Sequence, residues 1–221
     1  MKCVESYDQE LAERGWSCLD LNICDIDDLS DQVRKVAGEL GEVVKGRRGA
    51  EVERLESARS VEAYCSSLSA TYGEHEFPPH MDTAHLTVPC RYVVLGCAAA
   101  NQATAATLLK DTADVSFSAQ ESESLQTGIF LVRNGVYSFF APILNSERQF
   151  YRWDPGCMTA KDENAQIAMS VFEEKLRSVK PIRHAWRSGS ILILDNWRML
   201  HGRECCDRED ARRTLLRSSV S

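Results

Sequence analysis

The stretch that decides the fold is Ser-Gly-Ser-Ile-Leu-Ile-Leu-Asp-Asn-Trp-Arg-Met-Leu-His-Gly-Arg, residues 188–203. Four consecutive branched aliphatic residues, Ile191–Leu194, lie between turn-forming residues on both sides, and this pattern predicts a buried β-strand. The polar residues after the strand predict that the chain leaves the sheet there, at the mouth of a barrel. His201 follows closely, so its side chain is a candidate metal ligand at that mouth.

Three more short apolar and aromatic runs predict strands, and they lie at residues 92–95, 129–132 and 136–140. Arg133-Asn134-Gly135 separates the last two runs. Asn-Gly between hydrophobic runs is the strongest short hairpin signal in a sequence. The strands of the second half of the chain are therefore expected to be antiparallel neighbours.

Apolar residues at the spacing of one helix face predict three helices, at residues 28–40, 51–68 and 162–178. We expect Asp28 or Ser30 to cap the first helix and Thr159 or Asp162 to cap the last one. Helices followed by many short strands predict a mainly β protein with flanking helices (α+β) and a jelly-roll core. We predict a single domain over residues 1–221, with a mainly helical part at 1–76 and the jelly-roll core at 77–221.

Composition excludes several classes of function. The formal net charge is −7 and the pI is near 5.3, so the chain lacks the basic surface that phosphate binding requires. The first ten residues do not form a signal peptide, and no apolar run approaches the roughly 20 residues of a membrane span. Nine cysteines without Cys-x-x-Cys spacing predict reduced thiols. We therefore expect a cytoplasmic protein that binds neither nucleic acid nor membranes.

His80-Met81-Asp82 is the only His-x-Asp/Glu tripeptide in the chain. In a strand, residues i and i+2 project to the same face, so one short element can bind an ion through an imidazole and a carboxylate. Chance alone produces about 0.3 such matches in a chain of this composition, and His201 is the best candidate for a third ligand. Two histidines and one carboxylate leave open positions typical of non-haem iron(II) oxygenases. Zinc is the competing metal, although the His-Glu-x-x-His motif of hydrolytic zinc sites does not occur.

Two arginines near the end of the chain, Arg213 and Arg217, would share one face of a strand with Leu215. A planar guanidinium is suited to binding a carboxylate through two hydrogen bonds. The alternative is that both arginines are exposed and only make the protein more soluble.

Two other polar stretches leave alternatives open. Asp195 and Asn196 either orient His201 through hydrogen bonds or form a turn. The segment Tyr151-Arg152-Trp153 either binds substrate or packs Trp153 into the core.

Residues 188–203, together with Arg213 and Arg217, resemble the C-terminal signature of the taurine dioxygenase and clavaminate synthase-like 2-oxoglutarate oxygenases. The resemblance begins at Pro78 and follows ordered landmarks rather than continuous similarity. It implies a double-stranded β-helix in which His80, Asp82 and His201 bind iron.

The resemblance also implies how the co-substrate is held. Thr107 matches the family threonine that helps to bind 2-oxoglutarate, although alanines replace the glycine pair that precedes it in the family. Arg213 matches the arginine that binds the distal carboxylate of 2-oxoglutarate, and Arg217 matches one that binds an anionic group of the primary substrate. Because the spacing between the distal histidine and the arginine varies in the family, Arg217 is the alternative anchor for 2-oxoglutarate.

The activity implied by the resemblance is that of an Fe(II)- and 2-oxoglutarate-dependent dioxygenase, an oxidoreductase that also consumes O₂. It would hydroxylate an unactivated C–H bond of a small polar metabolite, such as an amino acid or a biosynthetic intermediate, and release succinate and CO₂. Asp82 favours oxygen transfer, because halogenating relatives have a small residue in its place. Two alternatives stay open: the same iron chemistry leading to desaturation, epoxidation or cyclisation in natural-product biosynthesis, and a barrel-fold binding protein without catalysis. The primary substrate and the oligomeric state also stay open.

Overall fold

The computed structural model describes residues 4–46, 49–56, 71–133, 135, 137–206 and 213–221. Its helices are α1 (Val4–Arg14), α2 (Ile26–Leu40), α3 (Ala119–Thr127) and α4 (Glu163–Ser178). Its strands, in chain order, are β1 (Trp16–Asp20), β2 (Val43–Val44), β3 (Glu53–Glu56), β4 (Phe77–His80), β5 (Tyr92–Ala99), β6 (Thr107–Asp111), β7 (Phe130–Arg133), β8 (Ser138–Ala141), β9 (Leu144–Asn145), β10 (Phe150–Tyr151), β11 (Met158–Ala160), β12 (Ile182–His184), β13 (Ser190–Asp195), β14 (Met199–Arg203) and β15 (Thr214–Val220).

Two antiparallel sheets face each other and enclose the central core. The large sheet has the order β1-β13-β5-β15-β2, with β3 also paired to β15, and the small sheet has the order β12-β6-β14-β4. Leu192 and Leu215 of the large sheet pack in one cluster with Leu109 and Met199 of the small sheet. The predicted mainly β fold with flanking helices is therefore confirmed.

Helices α1 and α2 cover the outer face of the large sheet. Outward residues of β5 and β13, such as Val94 and Ile193, pack in one cluster with Leu29 and Val33 of α2. Gly96 of β5 permits this close approach, because a Cβ atom there would lie 2.6 Å from Cγ2 of Val33. The alternating strand pattern thus separates an outer, helix-covered face from the inner face that surrounds the core.

The start of α2 differs from the prediction. Asp25 is the N-cap, and its side chain accepts hydrogen bonds from the backbone N–H groups of Asp27 and Asp28. The predicted caps Asp28 and Ser30 are therefore wrong. The helix begins earlier because Asp25 satisfies the free N–H groups of the first turn and Ile26 packs against the α2 side of the sheet.

The prediction of a helix over residues 51–68 is wrong at its start. Residues Glu53–Glu56 form β3, which pairs antiparallel with β15 and has Glu53 opposite Arg217. The free edge of β15 supplies backbone hydrogen bonds that override the helical pattern. Residues 57–70 lie outside the described part of the chain. Together with β1 and β2, β3 is one of three strands in the described part of residues 1–76, which were predicted to be mainly helical.

A smaller sheet, β11-β7-β8, packs with α3 and α4 beside the core. Strands β7 and β8 form the predicted antiparallel hairpin, with Arg133 opposite Ser138, although Asn134 lies outside the described residues. Helix α4 begins at the predicted cap Asp162, whose side chain accepts from the N–H of Ala165. Helix α3 was not predicted, although Ser118 and Glu121 form a capping box that signals a helix start in the sequence.

No helix within the described ranges has both the length and the apolar character that crossing a bilayer requires.

Candidate metal centre

The structure brings the three predicted metal ligands together. His80 is the last residue of β4 and lies directly opposite His201 of β14 in an antiparallel pair, with ring centroids 4.6 Å apart. Asp82 follows β4 in a turn, and its carboxylate oxygens lie 4.0 Å from Nε2 of His80 and 3.9 Å from Nε2 of His201. One donor atom from each residue falls within a group no wider than 4.8 Å. Met81 between them points the other way, into the cluster of α3 and α4.

The protonation states of this cluster suit a divalent metal. Burial, reinforced by the neighbouring His80, lowers the pKa of His201 to about 3, so its imidazole is neutral at physiological pH. Burial alone would raise the pKa of Asp82, but Arg217 and the two imidazoles outweigh it and hold the pKa at about 2. Asp82 Oδ2 is buried and accepts no hydrogen bond within the described part of the chain. An imidazole and a carboxylate with an unsatisfied oxygen are ligands of the kind that iron(II) binds, so the donor set fits.

Asn196 holds the backbone on both sides of Asp82. Its side-chain oxygen accepts from the N–H of Asp82 at 2.9 Å, and its amide nitrogen donates to the carbonyls of Asp82 and Cys90 at 3.0 and 2.9 Å. The sequence left two roles open for Asp195-Asn196, support of a metal ligand and formation of a turn, and each role is found for one of the two residues. Asn196 supports the site, through Asp82 rather than His201, whereas Asp195 forms a turn by accepting from the N–H of Trp197.

Thr83 has a left-handed backbone conformation directly after Asp82, with φ of 57°. This conformation is rare for a β-branched residue and costs of order 1–3 kcal/mol. The Thr83 hydroxyl accepts from the N–H of Cys90 at 2.7 Å, which helps to hold the turn. The direction of the Asp82 side chain therefore depends on contacts that offset this strain.

Arg217 lies against the metal ligands and is already paired. Its guanidinium donates to Asp82 Oδ1 at 2.9 Å and to Glu53 Oε2 at 2.7 Å. The nearby Asp82 carboxylate is the main reason that the pKa of Arg217 is raised. Glu53 was missed by the sequence analysis because β3 was predicted to be helical, so nothing in the pattern placed it beside β15.

Arg213 directly precedes β15 and has a different environment from Arg217. It donates to the carbonyl of Ala105 at 2.7 Å and lies over the ring of Trp186 at 5.6 Å. Burial lowers its pKa to about 10, with Arg203 adding to the effect. Within the described ranges no carboxylate forms an ion pair with it.

Thr107 and Arg213 both contact Trp186. The indole N–H of Trp186 donates to the Thr107 hydroxyl at 3.0 Å, and Thr107 is buried. Thr107 is one same-face step, about 6.8 Å, from Leu109, and Leu109 lies directly opposite His201. Trp186 was not singled out from the sequence, because an aromatic residue before a strand is most often part of the core.

The segment 151–153 does not present Trp153 to a substrate. Trp153 is buried and packs with Phe172 in the cluster of α3 and α4, so the core alternative is confirmed. Arg152 is also buried and donates only to backbone carbonyls within the described part of the chain.

Residues 168–219 match the family model described as the taurine catabolism dioxygenase TauD, TfdA family. The match includes His201, Arg213 and Arg217, and it confirms the predicted resemblance over these residues. No curated protein matches the chain.

Three solved structures are similar over nearly the whole chain. The non-heme iron oxygenase OrfP in complex with Fe and alpha-ketoglutaric acid has a TM-score of 0.77 and 18% identity, over 99% of this chain and 79% of OrfP. Asparagine oxygenase (AsnO) has a TM-score of 0.76 and 17% identity, over 98% and 76%. PvcB from Pseudomonas aeruginosa has a TM-score of 0.71 and 19% identity, over 99% and 80%. The fold is that of these oxygenases, which confirms the predicted jelly-roll core.

Proposed function

We propose that this protein is an Fe(II)- and 2-oxoglutarate-dependent dioxygenase that hydroxylates an unactivated C–H bond of a small polar metabolite and releases succinate and CO₂. The observation that carries the proposal is the cluster of His80, Asp82 and His201, with a buried Asp82 oxygen that receives no hydrogen bond from the described residues. Iron(II), when bound, supplies the O₂ chemistry that no side chain performs. The cytoplasm remains the expected compartment.

The proposed binding site for 2-oxoglutarate lies between the metal ligands and Arg213. Arg213 is a half-buried cation that forms no ion pair with a described carboxylate, and a partly desolvated charge of this kind is costly unless a ligand pairs with it. Thr107 lies one same-face step from the level of His201, a separation that a five-carbon dicarboxylate can span. We therefore assign the distal carboxylate to Arg213 and Thr107. The 2-oxo acid end would then face His80, Asp82 and His201.

We propose an amino acid as the primary substrate. Arg217 and Glu53 place one positive and one negative side chain beside the metal ligands, 2.7 Å apart. A zwitterion can satisfy both, with its carboxylate on Arg217 and its ammonium group on Glu53. The comparisons support this class, because OrfP has been solved with (3S)-hydroxy-L-Arg and asparagine oxygenase with 3-hydroxyasparagine and succinate.

The test is succinate formation. The metal-free protein is reconstituted with Fe(II) and 2-oxoglutarate without oxygen, supplied with single amino acids and then exposed to O₂. We expect one or a few amino acids to raise succinate formation above the substrate-free rate. Each should yield a hydroxylated product whose mass exceeds that of the amino acid by about 16 Da, the mass of one oxygen atom. The proposal is rejected if no succinate forms with or without an amino acid.

A matched pair of histidine variants tests the metal assignment. His201 and His184 are buried to the same extent, each 8% exposed, but only His201 belongs to the cluster. We expect His201→Ala to abolish metal binding and turnover in a protein that remains folded by circular dichroism. His184→Ala should still bind the metal. Wild-type metal affinity in His201→Ala would show that the assignment is wrong.

A further inference from the structure

Arg152 is a buried cation whose partners within the described ranges are backbone carbonyls. It is 2% exposed, and its guanidinium donates to the carbonyls of Ala84, Leu86 (2.6 Å) and Thr87 (2.8 Å). The rings of Phe139 and Phe150 lie 5.2 and 5.6 Å from it. All three carbonyls belong to one segment, residues 83–87, which we call the Asp82 turn because it starts directly after that ligand.

The segment that carries Arg152 also holds the chain before Asp82. The N–H of Met81 donates to the carbonyl of Trp153 at 2.7 Å, whereas Arg152 binds the turn that follows. Asn196 binds the N–H and the carbonyl of Asp82 itself. Thr83 lies between these contacts in its left-handed conformation. Without them, the turn would relax toward a more favourable φ value and Asp82 would point in another direction.

The burial of an arginine that binds carbonyls rather than a carboxylate requires an explanation. A guanidinium in an apolar environment is costly unless its donors are used, and an apolar side chain of similar size would fill the space at less cost. Only the planar arrangement of several donors can bind three carbonyls of one turn at the same time. The contacts therefore point to fixing of the turn rather than to filling of the core.

We propose that Arg152 is a positioning residue of the metal centre: it holds the Asp82 turn in its strained conformation and so keeps the carboxylate directed at His80 and His201. The inference rests on the proposed function, since it requires that the three ligands bind a metal. Within the described part of the chain, the hydrogen bonds of Arg152 go to backbone carbonyls of the turn and not to His80, Asp82 or His201. Its effect is expected in metal affinity, because residues that orient ligands commonly change this affinity by about 10- to 100-fold.

The experiment measures Co(II) binding to the metal-free protein without oxygen, from the absorption of the bound ion. We expect Arg152→Met to weaken binding about 10- to 100-fold. Arg152→Lys should lose less, because its ammonium keeps the charge but cannot span three carbonyls. Leu176→Ala is the control, since Leu176 packs in the same cluster as Met81 but its aliphatic side chain cannot form a hydrogen bond to the turn. This variant should lower the thermal midpoint and leave Co(II) affinity unchanged.

A second variant separates the strain from general loosening. Glycine adopts positive φ without steric cost. Adding Thr83→Gly to the Arg152→Lys variant should therefore recover part of the Co(II) affinity that Arg152→Lys loses. Wild-type Co(II) affinity in Arg152→Met, or a loss equal to that of Leu176→Ala, overturns the inference. If Arg152→Met does not fold, wild-type affinity in Arg152→Lys overturns it instead. Failure of the wild-type protein to bind Co(II) would reject the proposed function itself, which keeps the two failures distinct.

Discussion

Arg217 of β15 and Arg213, which directly precedes this strand, lie four residues apart, yet their environments are opposite. Arg217 contacts two carboxylates, Asp82 and Glu53, and its pKa is raised. Arg213 contacts a carbonyl and the face of a tryptophan, and burial lowers its pKa to about 10. Arg217 forms ion pairs with two carboxylates, whereas within the described residues Arg213 forms none and a more distant carboxylate, Glu204, acts on its charge.

This difference favours one of the two assignments that the sequence left open. An anionic co-substrate gains most where a buried cation lacks a partner, since the ligand then compensates a charge that is already desolvated. At Arg217 the ligand must share the guanidinium with two carboxylates. The comparison therefore supports Arg213 as the anchor of 2-oxoglutarate and leaves Arg217 to the primary substrate.

The largest expected effect concerns the KM for 2-oxoglutarate. Arg213→Leu should raise this KM about 10- to 100-fold, because hydrogen bonds to a charged group contribute about 1.5–3 kcal/mol. Arg217→Leu should change the KM for 2-oxoglutarate far less and the KM for the primary substrate more. Succinate formation at varied concentrations of each compound measures both values. If Arg217→Leu alone raises the KM for 2-oxoglutarate, the two roles are exchanged.

A smaller effect is expected in the stability of the metal-free protein. Arg217→Met leaves Asp82 and Glu53 without their shared cation and should lower the free energy of unfolding by about 1–2 kcal/mol, less than for a fully buried pair because the Arg217 side chain is 23% exposed. Arg213→Met removes a cation that lacks an ion-pair partner in the described ranges and should cost less than about 1 kcal/mol. Urea denaturation at neutral pH compares the two. Equal losses would show that Arg213 is as well paired as Arg217.

A third effect is expected in the pH dependence of stability near Arg213. Burial, followed by the charge of Arg213, lowers the pKa of His184 to about 4. The unfolded chain therefore gains a proton as the pH falls through about 6.5, whereas the folded state gains it only near 4. This contribution to stability is complete above pH 6.5 and is lost toward pH 4, by up to about 1.4 kcal/mol per pH unit.

The measurement is urea denaturation between pH 4 and 7 for the wild type and two variants. His184→Gln should flatten the curve relative to the wild type, because the variant lacks the imidazole whose pKa burial lowers. Arg213→Met should also flatten it, because removal of that charge lets the pKa of His184 rise. Parallel curves for the wild type and His184→Gln would contradict the prediction.

The sequence predicted most of the central strands because their residues are buried from both sides or alternate in polarity. Residues 190–195 and 92–99 are strands for this reason. β3 was missed, since residues 53–56 have little apolar pattern and become a strand only beside the free edge of β15. The cap of α2 was misplaced because several acidic residues precede that helix and only packing selects Asp25.

The candidate site likewise contains residues that the sequence indicates and residues that only the folded structure brings to it. His80, Asp82 and His201 could be named from the sequence because metal binding requires particular residue types in a recognisable order. Glu53 and Trp186 could not, and Asn196 was named with His201 rather than Asp82 as its partner, because these contacts join residues 79 to 164 positions apart in the chain. Such pairings depend on which strands become neighbours, and residue type alone does not encode them.

The sequence by itself determined the donor set, the jelly-roll class and the presence of two arginines four residues apart, because local periodicity and side-chain chemistry fix these properties. Only the tertiary structure decided which arginine is paired. β3 places Glu53 beside Arg217, while β6 and the chain before β13 place Thr107 and Trp186 near Arg213. The electrostatic state of a side chain depends on its burial and on its neighbours, and both are products of the folded chain.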